Sequence, residues 1–568
     1  MTLARRGLLL TTVFLILLLL AALAGTAQAA PTQPSRVLVV VMDQMHPQYA
    51  KQYNMKNVLW LENHGAWFKN AYVGDMASET VVSHNVMVSG LYPKNMGWSD
   101  EALRDTGDVL GGGADGIYVT GDLGYADFQN LITARDYPKL GTYLHAKFPG
   151  STVACVGEKS YQVESMAADN ADIAVRLSGT KTAEPMFSIL GGKYRIPAGV
   201  NIPSYIADDT RFDINSDATY NDYGTNTASP AWIYPEDGDR MVPGTTEGHL
   251  GGDDWVADAT IKIMQNTANT PGDWSGLFVN FGAIDKIGHM WGGGEVDNLK
   301  NYQWDPNSLF NQVHEPFIAK NADDQLGRLI GTLKALNEFD DTLIVVVADH
   351  GSTAATKHFY GVNAQGAGDY NWYLGNALNE SPVDYYNLPG RAIAPALQPL
   401  IATGNVAFNY SSTAIETWLT DYAMPQKLAA AAVMRTTPGV IATYVKKDDG
   451  SAYTLYKKNA MTKAESTWWK AHGQELVDTM AWSGSADVVG LLQNRTTYGA
   501  FGDHGGAQMD VQRIPMVFYN PSLKAVQRTS ASRLVDLMPT IMKSMGIAAS
   551  SLTTTVPMDG HGYTLATK

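Results

Sequence analysis

Six acidic and histidine residues are spaced along this 568-residue chain in a pattern suited to binding metal ions. They are Asp43, Asp285, His289, Asp349, His350 and His504. Asp285 and His289 are four residues apart, so both side chains can face one metal ion from a single helical turn. Carboxylate and imidazole groups are ordinary zinc ligands, and a pair of ions can stabilise both the attacking and the leaving oxygen of a displacement. The pattern therefore predicts a hydrolytic centre with two zinc ions, or with other divalent metals in their place.

Three apolar segments lead into the three aspartates. The segments 36–42, 277–284 and 342–348 end at Asp43, Asp285 and Asp349, respectively. Near-continuous runs of Val, Ile and Leu are typical of parallel strands that are buried on both faces. Ligands of such sheets gather beyond the carboxyl ends of the strands. We therefore expect residues that are hundreds of positions apart to meet in one cleft.

Further helices and strands are predicted between and beyond these segments. Helical patterns cover about 80–89, 254–266 and 322–337, and strand patterns cover 152–157, 486–492 and 514–519. Strands that alternate with helices indicate a layered α/β fold. We predict a mostly parallel central sheet sandwiched by helices.

Three stretches rich in Gly, Asn, Asp and Tyr interrupt this pattern at about 101–135, 180–250 and 352–480. They are too long to be plain loops of a compact domain. We interpret them as cap insertions in a catalytic domain that covers 34–565, where they build walls and a lid over the strand ends.

The N-terminus has the features of a secretory signal peptide over residues 1–29. Arg5 and Arg6 precede an apolar run over 8–23, and Ala27-Gln-Ala29 offers a cleavage site of small residues. An uncleaved membrane anchor is the alternative, although the run is short for a membrane span. We expect a secreted or periplasmic protein with no stable membrane span after cleavage.

The charge of the chain constrains its partners. The formal net charge is −15 at pH 7, and loss of residues 1–29, which contain two arginines and no acids, makes it −17. An acidic surface of this size argues against a nucleic-acid partner. A small anionic substrate would need local positive charge, which bound metal ions supply. The only cysteine, Cys155, lies in an apolar run and is expected to be a buried strand residue without a disulfide partner.

Several short segments together resemble the alkaline phosphatase superfamily, most closely its type I phosphodiesterase/nucleotide pyrophosphatase branch. The segments are Val39–Asp43, Thr80–His84, Val88–Pro93, Asp285–His289, Ala348–Gly351 and Gly502–Gly505. Each is weak alone, but their order and their placement at strand ends agree. The resemblance covers most of the core from about 34 to 540, outside the insertions.

The resemblance implies a role for each of the metal-binding candidates and for Thr80. One zinc ion would be held by Asp285, His289 and His504, the other by Asp43, Asp349 and His350, and Thr80 would be the nucleophile that bridges both. Metal coordination is an accepted way to activate a hydroxyl, and a helix N-terminus favours an alkoxide and a phosphoryl oxygen. The alternative is that Thr80 only caps its helix, as Thr often does.

Two positions depart from the family pattern. Glu101 stands where many relatives have an Asn that donates to a phosphoryl oxygen, and an ionised Glu101 would repel a dianionic phosphate. Relatives specialised for monoesters have a Lys and an Arg after the strand at 152–157. Here Lys159 could supply the positive charge, with a solvated surface lysine as the alternative, and the Arg is missing. Both departures favour a diester substrate.

The sequence therefore predicts a secreted two-zinc phosphodiesterase/nucleotide pyrophosphatase that acts on small phosphate esters through a phosphothreonine at Thr80. An alkaline phosphomonoesterase of the same superfamily is the alternative. A sulfatase is a weaker one, because Thr80 cannot become formylglycine and Cys155 lacks the required motif. A non-catalytic secreted binding protein is disfavoured by the full ligand set. The sequence leaves the oligomeric state open.

Overall fold

The computed structural model describes most of the chain. The described residues are 33–120, 123–176, 251–268, 273–285, 288, 309–354, 357–358, 397–498 and 502–568. The predicted signal peptide at 1–29, the predicted insertion at 180–250 and His289 lie outside them. No helix among these residues combines the length and apolar character needed to cross a bilayer.

The described strands are numbered in chain order. They are β1 (Arg36–Met42), β2 (Ala66–Tyr72), β3 (Ala102–Asp105), β4 (Gly116–Val119), β5 (Thr152–Gly157), β6 (Ile173–Arg176), β7 (Trp274–Phe281), β8 (Thr342–Val347), β9 (Thr353–Ala354), β10 (Lys357–His358), β11 (Val406–Ser411), β12 (Ala414–Leu419), β13 (Val440–Lys446), β14 (Tyr453–Lys458), β15 (Val488–Leu492), β16 (Thr496–Thr497), β17 (Gly502–Asp503), β18 (Met516–Tyr519) and β19 (Val526–Arg533).

The described α-helices are numbered in the same way. They are α1 (Tyr49–Gln52), α2 (Lys56–His64), α3 (Thr80–Ser89), α4 (Pro93–Met96), α5 (Tyr125–Arg135), α6 (Leu140–Lys147), α7 (Ser160–Ala167), α8 (Gly251–Thr267), α9 (Leu309–Ala335), α10 (Gln398–Ile401), α11 (Met424–Met434), α12 (Lys463–Trp468), α13 (Gln474–Thr479), α14 (Met509–Gln512) and α15 (Leu537–Ser544).

The central sheet has eight strands in the order β19–β2–β18–β8–β1–β7–β5–β6. The five strands from β8 to β6 are parallel to one another. Only β18 is antiparallel to its neighbours, β8 and β2, and β2 pairs in parallel with β19. The prediction of an α/β fold with a mostly parallel sheet is confirmed.

The strands of the central sheet have nearly unbroken apolar sequences because both faces of the sheet are buried. Residues Val37–Met42 of β1 are at most 1% exposed. The same hydrophobic core includes side chains of α2, α3, α7, α8 and α9, so the helices flank the sheet and exclude water from it. Cys155 of β5 is buried and free, as expected.

Two predicted elements differ most from the structure in their boundaries. The strand predicted at 277–284 begins at Trp274 and ends at Phe281, because its last ladder partner on β1 is Met42; the residues after Gly282 begin a helix. The helix predicted at 322–337 begins at Leu309, and Pro316, normally a helix breaker, lies inside it.

A second sheet is built from residues 406–492. Its five strands, in the order β11–β12–β15–β13–β14, are antiparallel throughout. It has hydrophobic clusters of its own, in which Trp418 and Tyr444 are fully buried. The segment predicted as a strand at 486–492 thus belongs to this sheet, as β15, and not to the central one.

A buried ion-pair network joins the second sheet to the hairpin of β3 and β4. Asp487, just before β15, lies 3.2 Å from Arg104 Nη2 of β3 and 3.2 Å from Lys446 Nζ of β13. Its carboxylate also accepts from the backbone N–H of Leu419 at 2.9 Å. All three charged side chains are at most 4% exposed, so this network fixes the second sheet against the hairpin that follows Glu101.

We expect Asp487→Asn to lower the free energy of unfolding by about 3 kcal/mol, because two buried cations lose their counter-charge. Urea denaturation measures this change. The exposed Asp449→Asn serves as the control and should unfold like the wild type. Equal midpoints for Asp487→Asn and the wild type would contradict the role of the network.

Candidate metal centre and active site

Four adjacent parallel strands place charged side chains at one edge of the central sheet. Asp349 follows β8, Asp43 follows β1, Asp285 follows β7 and Lys159 follows β5. Because these strands are neighbours and run in the same direction, their carboxyl ends meet at that edge. The register of the ladder thus brings together residues that are far apart in the sequence.

One cluster consists of Asp43, Asp349 and His350, all fully buried. His350 Nε2 lies 3.6 Å from Asp43 Oδ1 and 3.4 Å from Asp349 Oδ2. Two backbone amides, of Gln44 and His350, donate to Asp349 Oδ1 and so orient its carboxylate. Asp43 Oδ1 and Asp349 Oδ2 are buried without a hydrogen bond. Buried anionic oxygens without donors are costly, and a bound cation would satisfy both.

A second cluster consists of Asp285, His350 and His504. His504 Nε2 lies 3.3 Å from Asp285 Oδ1. The rings of His350 and His504 are stacked with their centroids 3.7 Å apart. His350 therefore lies between the two clusters. His289, the other ligand that the resemblance implies here, is outside the described residues.

The charges of this site shift the pKa values of its members. Burial raises the pKa of Asp349, and the charge of Asp43 raises it further. Burial also raises the pKa of Asp43, against the opposing effect of Lys159. Burial lowers the pKa of His350, and the neighbouring His504 lowers it further, so His350 has a lone pair available for a metal ion.

Lys159 is buried between the two clusters, so its interpretation as a solvated surface lysine is wrong. Its Nζ lies 2.6 Å from Asp285 Oδ2, 2.9 Å from Asp43 Oδ2 and 3.1 Å from Thr80 Oγ1. Burial alone would lower the pKa of Lys159, but the charges of Asp285 and Asp43 outweigh that effect and raise it. An ammonium group therefore occupies the place where carboxylates of both clusters converge, which shows that this place accepts positive charge.

Thr80 is the first residue of α3 and is 1% exposed. The N-cap position is occupied by Glu79, whose side chain makes no capping hydrogen bond. The Thr80 hydroxyl instead contacts Lys159 Nζ at 3.1 Å and His350 Nε2 at 3.3 Å. The alternative that Thr80 only caps the helix is therefore wrong, because its side chain faces the charged clusters.

His84 and Asn280 form a hydrogen-bonded layer behind the first cluster. His84 Nδ1–H donates to the carbonyl of Thr80 at 2.7 Å, and Asn280 Nδ2 contacts both Asp43 Oδ2 at 3.2 Å and His84 Nε2 at 3.1 Å. Burial lowers the pKa of His84 to about 3, so its ring is neutral. Sequence reasoning missed Asn280, although it is the one polar side chain in the apolar run 277–281 of β7.

Glu101 is connected to this site through the second sheet. The hydroxyl of Tyr410, in β11, lies 3.3 Å from Glu101 Oε2 and 3.1 Å from Glu79 Oε1. Burial and then the charge of Glu79 raise the pKa of Glu101 to about 8. Below that pH the carboxyl keeps its proton and can donate a hydrogen bond. The repulsion expected from an ionised Glu101 therefore applies only above about pH 8.

The fold places two buried clusters of carboxylates and imidazoles, each able to hold a cation, at the carboxyl edge of the sheet. The profile of the family described as type I phosphodiesterase / nucleotide pyrophosphatase matches residues 37–464. The chain belongs to that family, and it is a metal-dependent phosphoric ester hydrolase. No curated protein sequence matches the chain.

Solved structures with the same fold differ widely from this chain in sequence. Wild-type alkaline phosphatase PafA superposes with a TM-score of 0.57 at 14% identity, over 92% of this chain and 98% of that one. Murine ectonucleotide pyrophosphatase/phosphodiesterase 5 superposes with a TM-score of 0.51 at 10% identity, over 92% of this chain and 97% of that one. An inactive variant of the murine protein, in complex with AMP, superposes with a TM-score of 0.50 at 9% identity, over 92% of this chain and 97% of that one.

Proposed function

We propose that this protein is a secreted or periplasmic two-zinc phosphodiesterase/nucleotide pyrophosphatase that acts through a phosphothreonine on Thr80. The observation that carries the proposal is the position of the Thr80 hydroxyl. It lies at a helix N-terminus, 3.3 Å from the ring that both clusters share and 3.1 Å from a buried ammonium group. Export rests on the features of residues 1–29.

The set of ligand atoms suits zinc, because carboxylates and imidazoles lie close together. Two of the carboxylate oxygens, Asp43 Oδ1 and Asp349 Oδ2, are buried without a hydrogen-bond donor. In the proposal, Asp43, Asp349 and His350 hold one ion, and Asp285, His504 and His289 hold the other. The ions, when bound, supply Lewis acidity and lower the pKa of water.

The proposed reaction has two displacements at phosphorus. Thr80 Oγ1 loses its proton and forms a bond to phosphorus as the bond from phosphorus to the ester oxygen of the leaving group breaks, and the departing oxygen takes up a proton. Water then attacks the phosphothreonine, releases the phosphate product and restores the hydroxyl. Lys159 offsets negative charge beside Oγ1, and the N-terminal amides of α3 favour a phosphoryl oxygen. His84 fixes the carbonyl of Thr80, which keeps the nucleophile at the start of the helix.

A diester is the favoured substrate because Lys159 is the only cation in 157–161 and an Arg is missing there. The AMP bound to the murine relative supports a nucleotide as the substrate class. The second sheet, which brings Tyr410 to Glu101, would form one wall of the substrate cleft. A phosphomonoesterase is the second candidate, because the raised pKa of Glu101 lets its carboxyl donate to a phosphoryl oxygen below about pH 8.

We expect Thr80→Ala to lower turnover of a chromogenic phosphodiester by on the order of a thousandfold or more, as loss of a nucleophile does in other enzymes. Zinc content, measured by metal analysis, should be unchanged. Thr80→Ser retains a hydroxyl and should remain active. Ser83→Ala, on the same helix, is the control for removing a buried hydroxyl. Full activity of Thr80→Ala would rule out the nucleophile.

Zinc should stabilise the metal-free protein, because it neutralises buried carboxylates that have no donors. At free zinc a hundredfold above its dissociation constant, the gain in unfolding free energy should be about 2.7 kcal/mol. Denaturation with and without zinc measures it. Zinc should stabilise Asp349→Asn less than it stabilises Asp340→Asn, a control variant at an exposed position. If zinc does not raise the unfolding free energy of the wild type, the proposed metal centre is contradicted.

The ratio of monoester to diester turnover should decrease as the pH rises through 8. The protonated fraction of Glu101 falls from one half at pH 8 to about a tenth at pH 9, so the ratio should fall about fivefold. Glu101→Gln donates at every pH and should show a constant ratio. Glu101→Asn should also raise the ratio above pH 8. Parallel pH profiles in wild type and Glu101→Gln would show that Glu101 does not contact the phosphoryl group.

A further inference from the structure

We propose that Glu79 is the positioning residue for His504, and that the second sheet fixes Glu79 through Tyr410 and Ser412. The inference rests on the metal centre proposed above and adds a residue that links this centre to the second sheet. It concerns the orientation of one metal ligand and not a step of the reaction.

The two ring nitrogens of His504 face different partners. Nδ1 lies 2.6 Å from Glu79 Oε2, and Nε2 lies 3.3 Å from Asp285 Oδ1. A carboxylate beside Nδ1 favours a proton on that nitrogen, so Nε2, which faces Asp285, is the nitrogen that would bind a metal ion. Glu79 is 1% exposed, so water does not screen this interaction.

The backbone around His504 is shaped to admit the Glu79 carboxylate. Gly505 has φ +79°, and a Cβ at this position would overlap Glu79 Oε1. The amides of Gly505 and Gly506 donate to the carbonyls of Ser78 and Met76 at 3.0 and 2.9 Å. The segments before Thr80 and after His504 are therefore held side by side, and a side chain at 505 would displace the carboxylate.

The second sheet holds Glu79 from the other side. Tyr410 OH and Ser412 Oγ donate to Glu79 Oε1 at 3.1 and 3.4 Å. Thr413, in the turn between β11 and β12, donates its amide to the carbonyl of His504 at 3.3 Å and its hydroxyl to the carbonyl of Gly505. One turn of the second sheet thus contacts both the carboxylate and the backbone of the histidine that it orients.

Zinc binding to the metal-free protein, measured by competition with a chromogenic chelator, tests the inference without an activity assay. Wild type should bind two equivalents. Glu79→Gln retains the shape of the side chain but not its charge, and should weaken one equivalent by about 10- to 100-fold while the other is unchanged. Tyr410→Phe should weaken the same equivalent to a smaller extent.

The double variant distinguishes positioning through Glu79 from a general loosening of the sheet. If Tyr410 acts through Glu79, the combination of Tyr410→Phe with Glu79→Gln should bind zinc as Glu79→Gln does alone. Tyr453 is another buried tyrosine of this sheet, and its hydroxyl donates to the carbonyl of Ala486 at 2.6 Å. Tyr453→Phe removes that hydroxyl and is the control. It should leave zinc binding unchanged.

Two results would overturn the inference. Wild-type affinity for both equivalents in Glu79→Gln would show that the carboxylate does not position His504. If Glu79→Gln does not fold, wild-type zinc affinity in Tyr410→Phe would count equally against the inference. A wild type that binds fewer than two equivalents would instead overturn the proposed metal centre, and this inference with it.

Discussion

The concentration of negative charge at the carboxyl edge of the central sheet is the constraint on which the site depends. Asp43, Asp285 and Asp349 are buried within a few ångströms of one another by three adjacent strands. Such carboxylates repel each other and have lost their hydration, so they need positive charge beside them. Lys159 provides part of that charge, and the remaining buried oxygens have the arrangement of metal ligands.

The rigidity of the sheet makes this arrangement possible. The strands β8, β1, β7 and β5 are paired in a fixed parallel register, and their side chains fill both faces of the sheet. The repulsion between the carboxylates is therefore opposed by the packing of the entire core. Helix α3 adds the hydroxyl of Thr80 from the side, where His84 ties the start of the helix to Asn280 and Asp43.

The second sheet contributes to the site without supplying a candidate metal ligand from its described residues. Tyr410 contacts both Glu79 and Glu101, two acids that are held at the border of the clusters. Asp487 fixes the hairpin after Glu101 to the same sheet. The antiparallel sheet is thus connected to Glu101, a position at which we expect a departure from the family pattern.

Much of the central fold followed from the sequence because local patterns reflect burial. The apolar runs of β1 and β8 predicted strands within one residue of their observed ends, and α3 matched its prediction because Gly90 ends it in the left-handed conformation. The end of β7 was misplaced because strand ends depend on a partner: β1 stops pairing at Met42. The start of α9 was missed because a proline such as Pro316 normally ends a helix, and the sequence does not show that the helix continues past it.

The sequence by itself determined which residue types stand at the strand ends, and thereby the chemistry of carboxylates, imidazoles and a threonine hydroxyl. Only the tertiary structure decided that Lys159 is buried among them and that Glu79 reaches His504. It also decided that Glu101 holds its proton near neutral pH. The reason is physical: the pKa and the partners of a side chain depend on groups that are distant in the sequence and are brought near only by folding, as with Glu79 and Tyr410, 331 residues apart.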